Sequence, residues 1–137
     1  MHTMQIAFLG LAGVIAIAFG IRYALAREFM TYHAVVAGRS WGELDQGLQS
    51  MILGMYRIMG GGFVSYGLAL LWLLVPLGDR QAWAALAALT LTLTSLLPVV
   101  YVTLWLRKIQ PKARTPVAPA VFVLVLAVIG SASSLFG

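Results

Sequence analysis

REFMTYHAVVAGRSWGELDQGLQSMILGMYRIMGGG, residues 27–62, passes from a polar connection into an apolar run. Its first half carries Glu28, Glu43 and Asp45, three of the four acidic residues in the chain, and His33, one of the two histidines. Its second half opens a run with one charge, Arg57, followed by Gly60, Gly61 and Gly62. A loop that leads into a nearly uncharged helix is the inner end of a membrane hairpin. Outward from it the chain is more apolar still.

The 137 residues are 61% hydrophobic and 9% charged, where soluble domains run at about 45–50% and about 25%. Mean hydropathy is +0.94. Crossing a hydrocarbon core takes about 20 helical residues, and four runs reach that length, at 4–24, 51–77, 82–106 and 116–136. The expectation is an all-α integral membrane protein, one domain of four transmembrane helices. They would form an up-down bundle of two antiparallel hairpins, with a short interfacial segment between helices 1 and 2. The first run is too long for the apolar core of a secretory signal and lacks a basic leader, so it reads as a retained span. Without cysteine the chain has no disulfide and no thiolate metal site.

Basic residues give the orientation. Arg22, Arg27 and Arg39 surround the first connection, and Arg107, Lys108, Lys112 and Arg114 the third, whereas the second offers only Arg80 beside Asp79. The positive-inside rule puts the first and third connections in the cytoplasm and both termini on the opposite side. The net charge of +5 is then a topology signal that meets anionic headgroups, and no nucleic-acid partner is expected.

Small residues mark the helix contacts. Gly13, Ala16 and Gly20 share a face of the first helix, which Tyr23 and Arg27 continue, and such faces let helices approach closely. In the second helix Gly54 and the run Gly60, Gly61 and Gly62 read the same way, since consecutive glycines need something that uses the missing side chains. Between these helices, Phe29, Met30, Tyr32 and Val36 suit a short interfacial helix that Gly38 would end. Ser40 and Glu43 read as a capping box that starts the second helix near Trp41. The second connection, 76–81, reads as a tight turn. Further on, Thr90, Thr94 and Tyr101 share a face ahead of a kink at Pro98; they would either line a polar cavity or bond back to their own helix.

Arg57 is the leading binding candidate. It shares a face with Ser50, Gly54, Gly61 and Ser65, so it is expected to point into the bundle with Glu28, or else Glu43, as its partner. The alternative is that it snorkels to the interface and only fastens helices. His33, beside Tyr32 and Glu28, would serve as a ligand or base at the same rim, or simply be a solvated loop histidine. The only other histidine, His2, falls on the opposite side of the membrane. No catalytic residue, no metal ligand and no cofactor is assigned.

Arg57 with the glycines after it, then Tyr66, Gly67 and the Trp72 region, resembles a pattern in small bacterial four-span membrane proteins, the uncharacterised DoxX-like group among them. The resemblance covers roughly the first half of the chain. It implies a compact four-helix bundle in the bacterial inner membrane and supplies no reaction.

Three functions are compatible with these residues. The first expectation is a non-catalytic accessory or assembly subunit of a larger membrane complex, respiratory or photosynthetic, with membrane lipids and a membrane protein as partners. The second is a lipid or small-molecule binder or enzyme at the cytoplasmic rim, using Arg57, Glu28, His33 and Tyr32. The third is an oligomeric transporter, which the shortage of ionisable groups within the spans disfavours.

Overall fold

Among the residues described by the computed structural model, 2–136 with side chains from 3 to 133, the chain is all helical and contains no strand. Four long helices, α1 (His2–Ala24), α3 (Gln46–Gly78), α4 (Ala82–Ile109) and α5 (Val117–Phe136), surround a common core. A fifth, α2 (Thr31–Ala37), and a 3-10 turn (Trp41–Glu43) lie between α1 and α3. Helices α1, α3 and α4 are long and apolar enough to cross a membrane, while α5 is apolar over the shorter stretch Val117–Ser133.

Local chemistry sets the boundaries. Gly38 takes φ 63° and stops α2, a left-handed conformation that costs glycine little. The Ser40–Glu43 capping box forms, with the Ser40 N–H donating to the Glu43 carboxylate at 2.6 Å. It closes the 3-10 turn instead of starting α3. Leu44 follows in extended backbone and is buried, so the chain leaves the turn before Asp45 caps the true helix start by accepting from the Leu48 N–H at 2.9 Å. At its far end α3 runs through Pro76 to Gly78, because a proline in the last turn removes a single intrahelical bond. The expected turn at 76–81 thereby shrinks to 79–81, with Arg80 at φ 57°.

Packing rests on backbone contact between α1 and α3. A Cβ added at Gly20 would lie 2.6 Å from the Gly60 carbonyl oxygen, and one at Gly60 would lie 2.6 Å from the Gly20 oxygen. One heptad away the motif repeats: a Cβ at Gly67 would sit 2.5 Å from the Gly13 oxygen. Because Gly20 meets Gly60 and Gly13 meets Gly67, the two helices run antiparallel. On its other side α1 meets α5, where the Gln5 amide donates to the Ser133 carbonyl at 2.7 Å. The Tyr66 hydroxyl meets the buried Thr92 hydroxyl at 3.1 Å between α3 and α4. Thr115 donates to the Thr103 carbonyl at 3.0 Å, tying the start of α5 to the end of α4.

The core is built from small side chains: Ala12, Ala84, Ala85, Ala88 and Ala127 are fully buried. The outside is the reverse, with Ile58 79% and Trp72 76% exposed. In water such an apolar exterior would drive association; against acyl chains it is the favourable surface. Thr94, exposed, donates back to the Thr90 carbonyl at 2.8 Å, and Thr90 and Tyr101 are exposed as well. That face is the back-bonding one and lines neither of the two cavities described below.

Gly13, Gly20 and Gly60 make the contacts expected of them, joined by Gly67, whereas at Gly54, Gly61 and Gly62 a Cβ would meet nothing within 4 Å. Successive helical residues point about 100° apart, so only one of three adjacent glycines faces α1. Substitutions should divide accordingly. Gly20→Ala, Gly60→Ala and Gly67→Ala are each expected to lower unfolding free energy by about 1–3 kcal/mol, whereas Gly54→Ala, Gly61→Ala and Gly62→Ala leave it unchanged or slightly higher. Thermal melts of the purified variants in one detergent give the comparison, and equal losses in the two groups would contradict the packing.

Candidate functional site

Between the helices, at the end where the connections 25–30 and 110–116 lie, there is a cleft of about 310 Å³. Its walls are apolar: Ile15 and Phe19 of α1, Phe63 of α3, Leu96 and Val99 of α4, and Val123 of α5. Its end is polar, formed by Tyr23, Tyr32 and His33. No carboxylate lines it among the described residues.

The polar end is assembled by the glycine contacts. Tyr23 lies three residues beyond Gly20 and Tyr56 four residues before Gly60, so each continues the face on which its helix meets the other. Their rings meet edge to face at 5.1 Å. Helix α2 then supplies the partners: the Tyr23 hydroxyl hydrogen-bonds the Tyr32 hydroxyl, and His33 Nδ1 hydrogen-bonds the Tyr56 hydroxyl. Tyr56 also accepts from the Met30 N–H at 3.2 Å, which fixes the start of α2. Phe29, buried beside these groups, packs edge-on against Trp41 at 5.2 Å.

The His33–Tyr56 bond has two directions: with the phenol donating, the neutral imidazole keeps its proton on Nε2, and with Nδ1–H donating, the Tyr56 hydroxyl proton is left over. In the Tyr23–Tyr32 pair one hydroxyl donates to the other, and the second O–H is left over. Each of the two pairs thus leaves one proton unused, beside a cleft end lined by Tyr23, Tyr32 and His33. Burial raises the Tyr32 pKa, assisted by the bond to Tyr23, so this phenol stays protonated. Burial also lowers the His33 pKa, which keeps the ring neutral. An unused proton at such an end can be offered to an acceptor oxygen.

No family model, curated protein or solved structure matches the chain.

Of the residues singled out in the sequence, Tyr32 and His33 come together at the cleft. Arg57 does not join them. It is exposed on the outer side of α3, because Tyr56, its neighbour, takes the inward position and the next residue is rotated by about 100°. Glu28 is exposed and lines no cavity. Neither Glu28 nor Glu43 forms an ion pair with Arg57 among the described residues, and Glu43 is engaged by Ser40. Sequence reasoning missed Tyr56 altogether and used Tyr23 only as part of a packing face. Their spacing to Gly60 and Gly20 was the available signal.

A second cavity of about 500 Å³ adjoins the cleft, sharing Phe19, Tyr23, Tyr32, Pro116 and Pro119 with it. Arg22, Lys112 and Arg114 lie at its rim.

Protonation of His33 should weaken the fold. The unfolded imidazole takes a proton near pH 6.5, the folded one only at lower pH, so the unfolded state binds more protons in that window and stability declines as pH drops through it. Melting temperature is expected to fall between about pH 7 and about pH 5 and to fall less in His33→Gln, with His2 present in both. An identical pH dependence in the variant would contradict the assignment.

Proposed function

We propose that the chain is a non-catalytic integral membrane protein that binds an amphiphilic small molecule. The apolar part lies in the cleft and an acceptor oxygen meets Tyr32, Tyr23 and His33. The observation that carries this reading is the apolar cleft ending on Tyr23, Tyr32 and His33, whose hydrogen-bonded pairs each leave a proton unused, since an apolar cleft with a few placed polar groups is how small-molecule sites are built. At about 310 Å³ it lies at the lower end of the range of roughly 300–1,000 Å³ for such sites, enough for one hydrocarbon chain or a small ring system. Binding is favoured over turnover because His33 Nδ1 is already engaged by Tyr56 and no carboxylate lines the cleft to act as a base.

In this reading the protein crosses the bacterial inner membrane four times, as an up-down bundle of two antiparallel hairpins. Connections 25–45 and 110–116 are cytoplasmic and both termini lie on the opposite side. The basic residues around those connections support the orientation, and the antiparallel α1–α3 contact supports the bundle. The binding site then opens at the cytoplasmic rim.

A second reading, an accessory subunit of a larger membrane complex, is favoured by the outer face of α3. Gly54, Gly61 and Gly62 have open space beside them, and Arg57 and Ser65 on that side are exposed. Small residues at a lipid-facing position suit close approach of another helix.

One purification tests both. From its native membrane in mild detergent, the chain is expected to carry an amphiphile at one molecule per chain by native mass spectrometry, and Val99→Trp, which fills the cleft, should lose it. Recovery of a stoichiometric complex with larger subunits, disrupted by Gly61→Leu and indifferent to Val99→Trp, would favour the accessory reading instead. Topology is checked separately, since the chain has no native cysteine. Single cysteines at Ser40 and Lys112 should react with an impermeant maleimide only from the cytoplasmic side, and one at Asp79 only from the other.

A further inference from the structure

Seven basic residues flank the first and third connections, and orientation in the membrane requires only that they lie on one side. Arg27, Arg39, Arg107 and Lys108 meet that requirement without lining either cavity. Arg22, Lys112 and Arg114 do more. They come from the last turn of α1 and from the connection before α5, far apart in sequence, and converge on the cavity that adjoins the cleft. No acidic residue lines that cavity among the described residues, so nothing at the mouth offsets their charge. Arg22 is near enough for its charge to act on the Tyr32 hydroxyl, which places one cation beside a spare donor at the end of the apolar cleft.

We propose that the molecule held in the cleft is an anionic amphiphile whose phosphate or carboxylate head is received by Arg22, Lys112 and Arg114 at the cleft mouth. The proposal rests on the amphiphile reading above and adds the charge of the head. Cations and hydroxyl donors together favour an anionic oxygen over a neutral one, because hydrogen bonds to an ionised acceptor are about twice as strong as neutral pairs. Each cation near the membrane surface strengthens binding of an anion about fivefold. A head seated there keeps its charge at the interface while its chain extends inward between α1, α4 and α5.

The test uses three probes with the same chain, dodecyl phosphate, dodecanoate and dodecanol, each added at low mole fraction to the full chain in phosphatidylcholine nanodiscs. Occupancy is read by native mass spectrometry. The phosphate and the carboxylate are expected to bind at least about tenfold more tightly than the alcohol. The triple substitution Arg22→Gln, Lys112→Gln and Arg114→Gln should bring both anions to the alcohol's affinity while leaving dodecanol binding intact, which also shows that the variant is folded. Dodecanol binding as tightly as the anions, or anion affinity unchanged in the triple variant, would overturn the anionic head and leave the amphiphile reading standing. Absence of binding by all three would overturn both. Competition names the source of the anion: displacement of dodecyl phosphate by excess phosphatidylglycerol identifies a bulk lipid head, and resistance to it a dedicated single-chain ligand. Either result supports the anionic site.

Discussion

The backbones of α1 and α3 touch. At Gly20 with Gly60, and again at Gly13 with Gly67, the space that a side chain would need is occupied by the carbonyl oxygen of the opposite helix. Apolar burial drives little association between helices in lipid, where acyl chains solvate leucine as well as another helix does, so close packing and its dispersion energy must supply the attraction. Glycine is the residue that permits it. The remaining helices are arranged on this pair, α5 against α1 and α4 closing the ring between α3 and α5, with alanines at the buried positions.

The polar end of the cleft is a consequence of that contact. Tyr23 and Tyr56 extend the two glycine faces beyond the closest approach, and each hydroxyl meets a partner from α2. Buried polar groups in a membrane protein are costly unless satisfied, and no buried side-chain nitrogen or oxygen lacks a partner among the described residues. The cluster satisfies itself while retaining two protons that it does not use. Packing and the proposed recognition thus draw on the same four side chains.

Much of this was legible in the residues. Apolar length and charge placement yield helices and a polar connection, and Gly13, Gly20 and Gly60 yield the contact faces. The short α2 and its stop at Gly38 follow from an amphipathic stretch with a glycine after it. Phase within the glycine run was not legible: Gly60, Gly61 and Gly62 are chemically identical, and only the position of Gly20 on the opposing helix selects among them. That same phase decided the site. Rotating α3 to seat Gly60 turns Tyr56 inward and Arg57 outward, so an arginine assigned by its neighbours to the interior stands on the surface. The start of α3 was misplaced for a different reason. Two capping sequences, at Ser40 and Asp45, follow each other closely, and the first is spent on a single turn.

Helix α2 has seven residues, well below the roughly 12–15 at which an isolated helix becomes marginal in water. It persists because Tyr32, His33 and the Met30 amide are held by α1 and α3. Segments with so little stability of their own are where local opening below the free energy of global unfolding is drawn from. For the amphiphile proposed to occupy the cleft, opening of this segment would set residence time, a clock distinct from affinity, and one that acidification, by charging His33, would run faster.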